Sequence, residues 1–89
     1  MRKPEILQRR LGDYLQIAAR AQADGAPQRV RYIIITGRYY YVSETRTGIN
    51  GNMTRHRSLD AAKRRALAVV GREANADRKA AKARAKRHD

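Results

Sequence analysis

Apolar positions in the first quarter of the chain recur at helical spacing. Pro4 and Glu5 suit a first helical turn, where a missing N–H costs little and a carboxylate meets the positive end of the helix dipole. The segment 24–27, Asp-Gly-Ala-Pro, is typical of a helix end. The pattern predicts an amphipathic helix over residues 4–24, with Gly12 at a point of close packing. Its apolar stripe consists of Ile6, Leu7, Leu11, Tyr14, Leu15, Ile17 and Ala18.

The next two segments, 29–36 and 39–46, are rich in β-branched and aromatic side chains, which favour strands. Between them lies Gly37-Arg38, a two-residue connection with glycine first, as in type II′ hairpin turns. Such a turn pairs Ile35 with Tyr40 and Ile33 with Val42. It also places Arg31 opposite Glu44, a favourable pair of unlike charges. The sequence therefore predicts a β-hairpin.

A second turn is expected at residues 48–52, followed by a short strand over 53–57. Ser58 then suits the N-cap of a helix, and Asp60 suits its first turn. The apolar stripe of this helix is Leu59, Ala62, Ala66, Val69 and Val70.

Gly71 is the expected end of that helix. Beyond it, residues 72–89 contain seven Lys or Arg, six Ala and no large apolar side chain. This composition favours helix intrinsically but supplies little to bury, so it predicts a frayed helix or a disordered tail.

These elements predict an α+β fold: an N-terminal helix, a three-stranded antiparallel β-meander and a C-terminal helix with a basic tail. Residues 1–71 would form a single small α-β-β-β-α domain, because 89 residues suffice for one domain at most. Residues 72–89 would form the Ala/Lys/Arg-rich tail.

Composition narrows the chemistry. The chain has no cysteine and two histidines, so disulfides and thiolate zinc sites are excluded, and we expect no metal site and no cofactor. No Ser-His-Asp or Cys-His arrangement can be proposed, so we expect a protein that is not an enzyme. No apolar run approaches the ~20 residues that span a bilayer. We therefore expect an intracellular, cytoplasmic protein without a membrane partner.

Charge indicates the class of partner. The chain has 21 Lys and Arg against 8 Asp and Glu, a formal net charge of +13. Such an excess makes a compact fold repel itself and attracts polyanions. Nucleic acid is the partner we expect first, and an acidic protein surface second.

The predicted hairpin carries candidate binding residues on one face, because alternate side chains of a strand point to opposite sides. Tyr32, Tyr39 and Tyr41 share a face, and Arg38 lies in the turn beside it. Arg55 and Arg57 join that face if the second turn has five residues, whereas a turn one residue shorter puts His56 there instead. Equally, the N-terminal helix could cover this face and make it part of the core.

A second set of cations lies on the last helix and in the tail. Mobile cations of this kind neutralise phosphates and release counterions, although a solvated surface is the alternative interpretation. The set comprises Lys63, Arg64, Arg78, Lys79, Lys82, Arg84, Lys86 and Arg87.

The segment 37–66 resembles a known small module. It has a Gly-Arg-aromatic turn, a Gly/Asn turn and a capped helix that opens Ser58-Leu59-Asp60-Ala61-Ala62. This layout is similar to the sheet-plus-helix domains of tyrosine-integrase arm-binding regions and of plant ethylene-response-type DNA-binding domains. The resemblance covers about a third of the chain, and it implies a sheet that enters the DNA major groove. The chain has no tryptophan, which the plant domains use repeatedly, so base contacts are not carried over.

The whole predicted order also resembles the double-stranded-RNA-binding domain, and the basic segment 62–66 is similar to the start of that family's second helix. However, that family has a longer loop between its first two strands, and its second helix opens with lysines. DNA is therefore preferred to RNA.

The expected function is that of a small non-enzymatic protein that binds duplex DNA through the sheet face and the basic tail. Such a protein could be an accessory or regulatory factor of a phage or mobile element, associated with the nucleoid. One alternative is a protein-interaction module, such as a phage-type inhibitor that binds an acidic surface of a host nucleic-acid enzyme. Another is binding of double-stranded or structural RNA. The sequence does not indicate an oligomeric state.

Overall fold

A five-stranded antiparallel sheet carries one long helix on one of its faces. A computed structural model describes residues 2–43 and 53–87. The strands are β1 (Arg2–Leu11), β2 (Tyr14–Gln22), β3 (Arg29–Ile35), β4 (Tyr40–Ser43) and β5 (Met53–His56), and the helix is α1 (Leu59–Arg87). The strands lie side by side in chain order. The α+β class agrees with the sequence, but the predicted N-terminal helix and three-stranded meander are wrong.

The segment predicted as the N-terminal helix is a hairpin of β1 and β2. Leu11 pairs with Tyr14, and Gly12 has a φ of 63°, which an α-helix does not allow. The alternating residues Ile17, Ala19 and Ala21 are buried in the core. By contrast Leu7 and Leu11, which belong to the predicted helical stripe, are exposed. The period of two in β2 therefore decides the structure, and the helical spacing is coincidental.

The β3–β4 hairpin forms in the predicted register, with Ile33 opposite Val42 and Ile35 opposite Tyr40. The backbone N–H of Thr36 donates to the carbonyl of Tyr39 over 2.9 Å and closes the two-residue turn. Gly37 does not have a positive φ, so the type II′ assignment is wrong.

On the β2 side of β3, the backbone of Arg31 pairs with Ala19, and its side chain meets Glu73. The predicted pair of Arg31 with Glu44 stays a prediction. Glu44 and the predicted turn at 48–52 lie outside the described residues. The strand after that turn ends one residue earlier than expected, at His56.

Among the described residues, the two ends of β3 have different pairing partners. Residues 29–32 pair with β2, whereas residues 33–35 pair with β4. The ladder between β2 and β3 ends at the pair Ala18–Tyr32, so the two strands separate beyond it.

The start of α1 is as predicted. Ser58 caps it, since its Oγ accepts a hydrogen bond from the Ala61 N–H over 3.1 Å. Ala62, Ala66 and Val70 are fully buried.

Gly71 lies inside α1 and not at its end. A Cβ built there would stand 3.1 Å from Cγ of Pro4, so the missing side chain allows the helix to approach β1. The helix continues to Arg87, and every residue over 78–85 is exposed. We call this projecting segment, 78–85, the helical arm.

The core is an alanine-lined seam between α1 and the sheet. Its largest fully buried side chains are Ile17, Val42 and Val70. Larger side chains such as Ile33, Leu15 and Leu59 also contribute, and five alanines from both layers line the contact between the helix and the sheet. These are Ala19, Ala21, Ala62, Ala66 and Ala74.

Two ion pairs fasten α1 to β3. Arg29 donates to both carboxylate oxygens of Asp77, from Nε and Nη2, each over 2.8 Å. Its hydrogen bonds with Asp77 raise the pKa of Arg29 above the ordinary arginine value. Arg31 is buried, and its Nη2 lies 2.6 Å from Oε1 of Glu73, an ion pair that lacks hydrogen-bond geometry. Glu73 and Asp77 therefore hold the part of α1 beyond Gly71 against the sheet.

Candidate nucleic-acid interface

The face of the sheet opposite α1 is not covered by any described element, and we call it the open face. Its membership follows from strand alternation, because Ile17, Ile33 and Val42 point towards α1. Tyr32 is 53% exposed and Ile34 is 45% exposed. The segment 4–24, which the sequence predicts as a covering helix, forms β1 and β2 of the sheet itself. The alternative that this face is core is therefore wrong.

Two tyrosines and one arginine form a cluster on the β4–β5 side of the open face. Tyr41 pairs with Arg55 across the strands, which resolves the register that the sequence left open and puts His56 on the helix side. The guanidinium carbon of Arg55 stands 4.6 Å from the ring centroid of Tyr39. The rings of Tyr39 and Tyr41 meet edge to face, with centroids 6.5 Å apart. We call Tyr39, Tyr41 and Arg55 the tyrosine–arginine cluster.

The cluster can make several kinds of contact with a nucleic acid. A guanidinium over an aromatic ring is held in position at small cost, and its outer N–H groups stay available. Arginine binds guanine edges or phosphate through two hydrogen bonds, and tyrosine donates to phosphate or stacks on a base. Arg55 is exposed while both rings are half-buried, so the cation is the outermost part of the cluster.

The β1–β2 side of the open face adds two cations that sequence reasoning missed. Nε of Arg9 donates to Oε1 of Gln16 over 3.0 Å, and Nε of Arg20 donates to Oε1 of Glu5 over 2.6 Å. The helix that the sequence predicts over residues 4–24 would not place either arginine on the sheet. The pair Gly12-Asp13 is a hairpin signal that could have revealed them.

Two shallow clefts cross the open face. One, of about 210 Å³, lies where β2 and β3 separate, and Tyr14, Gln16, Tyr32 and Ile34 contribute to its lining. The other, of about 380 Å³, lies over β1 to β3, with Arg9, Arg20 and Tyr32 at its walls. Phenols and aliphatic side chains thus line the first recess, whereas guanidiniums and the phenol of Tyr32 line the second.

Of the other residues predicted from the sequence, Arg38 is exposed in the β3–β4 turn and Arg57 is exposed just after β5. The rest lie on α1, in the opposite layer. Lys63 is half-buried there, while the others with described side chains are exposed: Arg64, Arg78, Lys79, Lys82 and Arg84. Lys86 and Arg87 belong to the helix, but their side chains are outside the described part. The open face and the helix cations therefore do not form one continuous site.

Other kinds of site receive no support from the described residues. Over residues 2–43 and 53–87, no three His, Asp or Glu side chains come together in a way that could hold a metal ion. α1 is long enough to cross a bilayer but far too polar, and the described chain has no other helix.

Comparison with protein-family models, curated proteins and solved structures gave no match. The resemblance to integrase arm-binding and plant ethylene-response-type domains stays a prediction, as does the weaker one to double-stranded-RNA-binding domains.

Proposed function

We propose that this protein binds nucleic acid, and duplex DNA in particular, through the open face. The observation that carries the proposal is an uncovered sheet face that holds two exposed phenols, Tyr14 and Tyr32, together with the guanidiniums of Arg9, Arg20 and Arg55. A net charge of +13 supplies the long-range attraction. The proposal includes a non-enzymatic role, as an accessory or regulatory factor, and an intracellular location on DNA.

The width of the sheet limits how a duplex can bind. Five strands at a spacing of about 4.8 Å place the outer strands roughly 19 Å apart. The major groove is about 12 Å wide, so the whole face does not fit inside it. The tyrosine–arginine cluster therefore enters the groove, while Arg9 and Arg20 contact phosphates beside it. Base contacts come from the cluster and positioning contacts from β1 and β2.

A competition experiment tests the class of nucleic acid. Fluorescence anisotropy of a labelled 20-base-pair DNA duplex would be measured at two salt concentrations, with unlabelled DNA duplex, RNA duplex and single strands as competitors. We expect binding that weakens steeply with salt, because phosphate contacts release counterions, and duplex DNA as the best competitor. Absence of binding in dilute buffer would overturn the proposal, and better competition by RNA would move it to that polymer.

A second candidate function has one observation in its favour. Leu7, Leu11 and Ile34 are exposed on the open face, and aliphatic side chains contribute little to phosphate binding. An apolar surface edged by cations also fits an acidic protein, such as a host nucleic-acid enzyme. Pull-down from an extract treated with nuclease separates the candidates, because a protein partner survives the treatment and a nucleic-acid bridge does not.

A further inference from the structure

We infer that α1 carries a second DNA-binding surface on the side of the molecule away from the open face, so that one molecule holds two duplex segments at once. This inference rests on the proposed function and extends it. It concerns the cations that the structure separates from the sheet site.

The second surface is a row of exposed cations along the helix. Arg64, Arg72, Lys79 and Lys82 follow at intervals of eight, seven and three residues, which at 3.6 residues per turn bring them to one side of α1. All four are exposed, whereas Ala62, Ala66 and Val70 on the other side are fully buried. We call these four residues the helix stripe.

The carboxylates of α1 do not lie beside the helix stripe, so they do not neutralise its positive charge. In the described chain α1 contains three acidic residues, and two of them, Glu73 and Asp77, face β3 and pair with its arginines. The third, Asp60, lies in the first turn, before the stripe begins. A continuous row of positive charge without interspersed anions is suited to a polyphosphate.

The two surfaces are too far apart to act on the same stretch of duplex. The Cα atoms extend over 54 × 26 × 20 Å, and the sheet and helix layers stack between the open face and the stripe. The Debye length at physiological salt is about 8 Å, so the charges of one surface are largely screened from a duplex on the other. α1 is continuous from Leu59 to Arg87, so the helical arm continues the axis of α1 and does not fold back around the sheet.

A bridging experiment tests the inference with two variants of equal charge. A biotinylated duplex on beads is loaded with protein and washed, and capture of a second, fluorescent duplex is measured. The sheet variant carries Arg9→Gln and Arg55→Gln, and the helix variant carries Lys79→Gln and Lys82→Gln. All four positions are exposed, so the fold should persist, as circular dichroism would verify.

The unaltered protein should capture the second duplex. Both variants should show a loss of roughly hundredfold, because each variant lacks two phosphate contacts and each lost contact weakens binding by about tenfold near 0.1 M salt. Undiminished capture by the helix variant would overturn the inference, since bridging would then use two open faces of paired molecules. Undiminished capture by the sheet variant would overturn it as well. Binding of the first duplex without capture of the second leaves the proposed function intact and removes the second surface. If the unaltered protein does not bind the first duplex, the result overturns both the proposed function and the second surface.

Discussion

Arg55 is the side chain on which the chemistry of the open face most depends, because it joins β5 to the ring of Tyr39 and projects a guanidinium outward. We expect Arg55→Gln to weaken duplex binding roughly tenfold and to lower the slope of log affinity against log salt by about one. Anisotropy titrations at several salt concentrations measure both quantities.

Arg10→Gln is the matched control for that experiment. Arg10 is exposed and carries the same charge, but it lies on the helix side of β1, opposite Leu15. Its replacement should leave affinity nearly unchanged. An equal loss in both variants would mean that net charge alone, and not the cluster, governs binding.

At the scale of single elements, Gly12 distinguishes the hairpin from the helix that the spacing of apolar residues suggests. Its φ of 63° is costly for a residue with a Cβ, so Gly12→Ala should lower the free energy of unfolding by about 1–2 kcal/mol. In a helix the same change would raise it by about 1 kcal/mol. Urea denaturation therefore gives opposite signs for the two structures.

Gly37→Ala serves as the comparison in the other hairpin turn. Gly37 does not have a positive φ, and a Cβ there would meet nothing within 4 Å. Its replacement should leave stability unchanged or raise it by about 0.5 kcal/mol, through the unfolded chain. Similar losses at both glycines would count against the turn geometry described for Gly12.

The contact between α1 and β3 gives a second test at this scale. Glu73→Gln removes the charge that faces buried Arg31 and should lower the free energy of unfolding by about 1.5–3 kcal/mol. Asp60→Asn, an exposed acid in the first turn of the same helix, should cost about 0.5 kcal/mol through the helix dipole. Equal losses in denaturant titrations would contradict a structural role for the Glu73–Arg31 pair.

The elements that the sequence predicted are those determined by neighbouring residues. The β3–β4 hairpin follows from two short strands and a two-residue turn, and the start of α1 follows from Ser58 and the stripe beyond it. Residues 4–24 satisfy a helical spacing and a period of two at once. The local signal for the hairpin is Gly12-Asp13, and the packing of Ile17, Ala19 and Ala21 against α1 completes the distinction. The sequence does not predict the full extent of α1, because Glu73 and Asp77 pair with Arg31 and Arg29 of β3, which are far away in sequence.

At the scale of the whole molecule, the same limit explains the candidate site. Alternation along β3 and β4 predicted that Tyr32, Tyr39 and Tyr41 share a face. Arg9 and Arg20 lie on the same face as these tyrosines because β1 and β2 join the sheet. The helix cations lie in the other layer because α1 packs on the opposite face. A single sequence carries no local signal for that order of layers.

The exposed helical arm leads to a prediction about hydrogen exchange along α1. The part of α1 over residues 59–77 has side chains buried against the sheet, whereas every residue of the helical arm is exposed. Amide hydrogens of the arm should exchange at least roughly tenfold faster than those of the packed part, because opening the arm breaks no tertiary contact. Hydrogen-exchange mass spectrometry measures the difference. Uniform protection along α1 would mean that the arm is held by contacts that the isolated chain lacks.

The alanine-lined seam constrains how this sequence can vary. Alanine is already the smallest side chain with a Cβ, so truncation at Ala19, Ala62 or Ala66 leaves only glycine, which weakens both helix and strand. Enlargement to valine forces the two layers apart, at a cost of about 1–3 kcal/mol. Mutational drift is therefore confined to the two outer surfaces, where new ligands can be acquired without disturbing the interior.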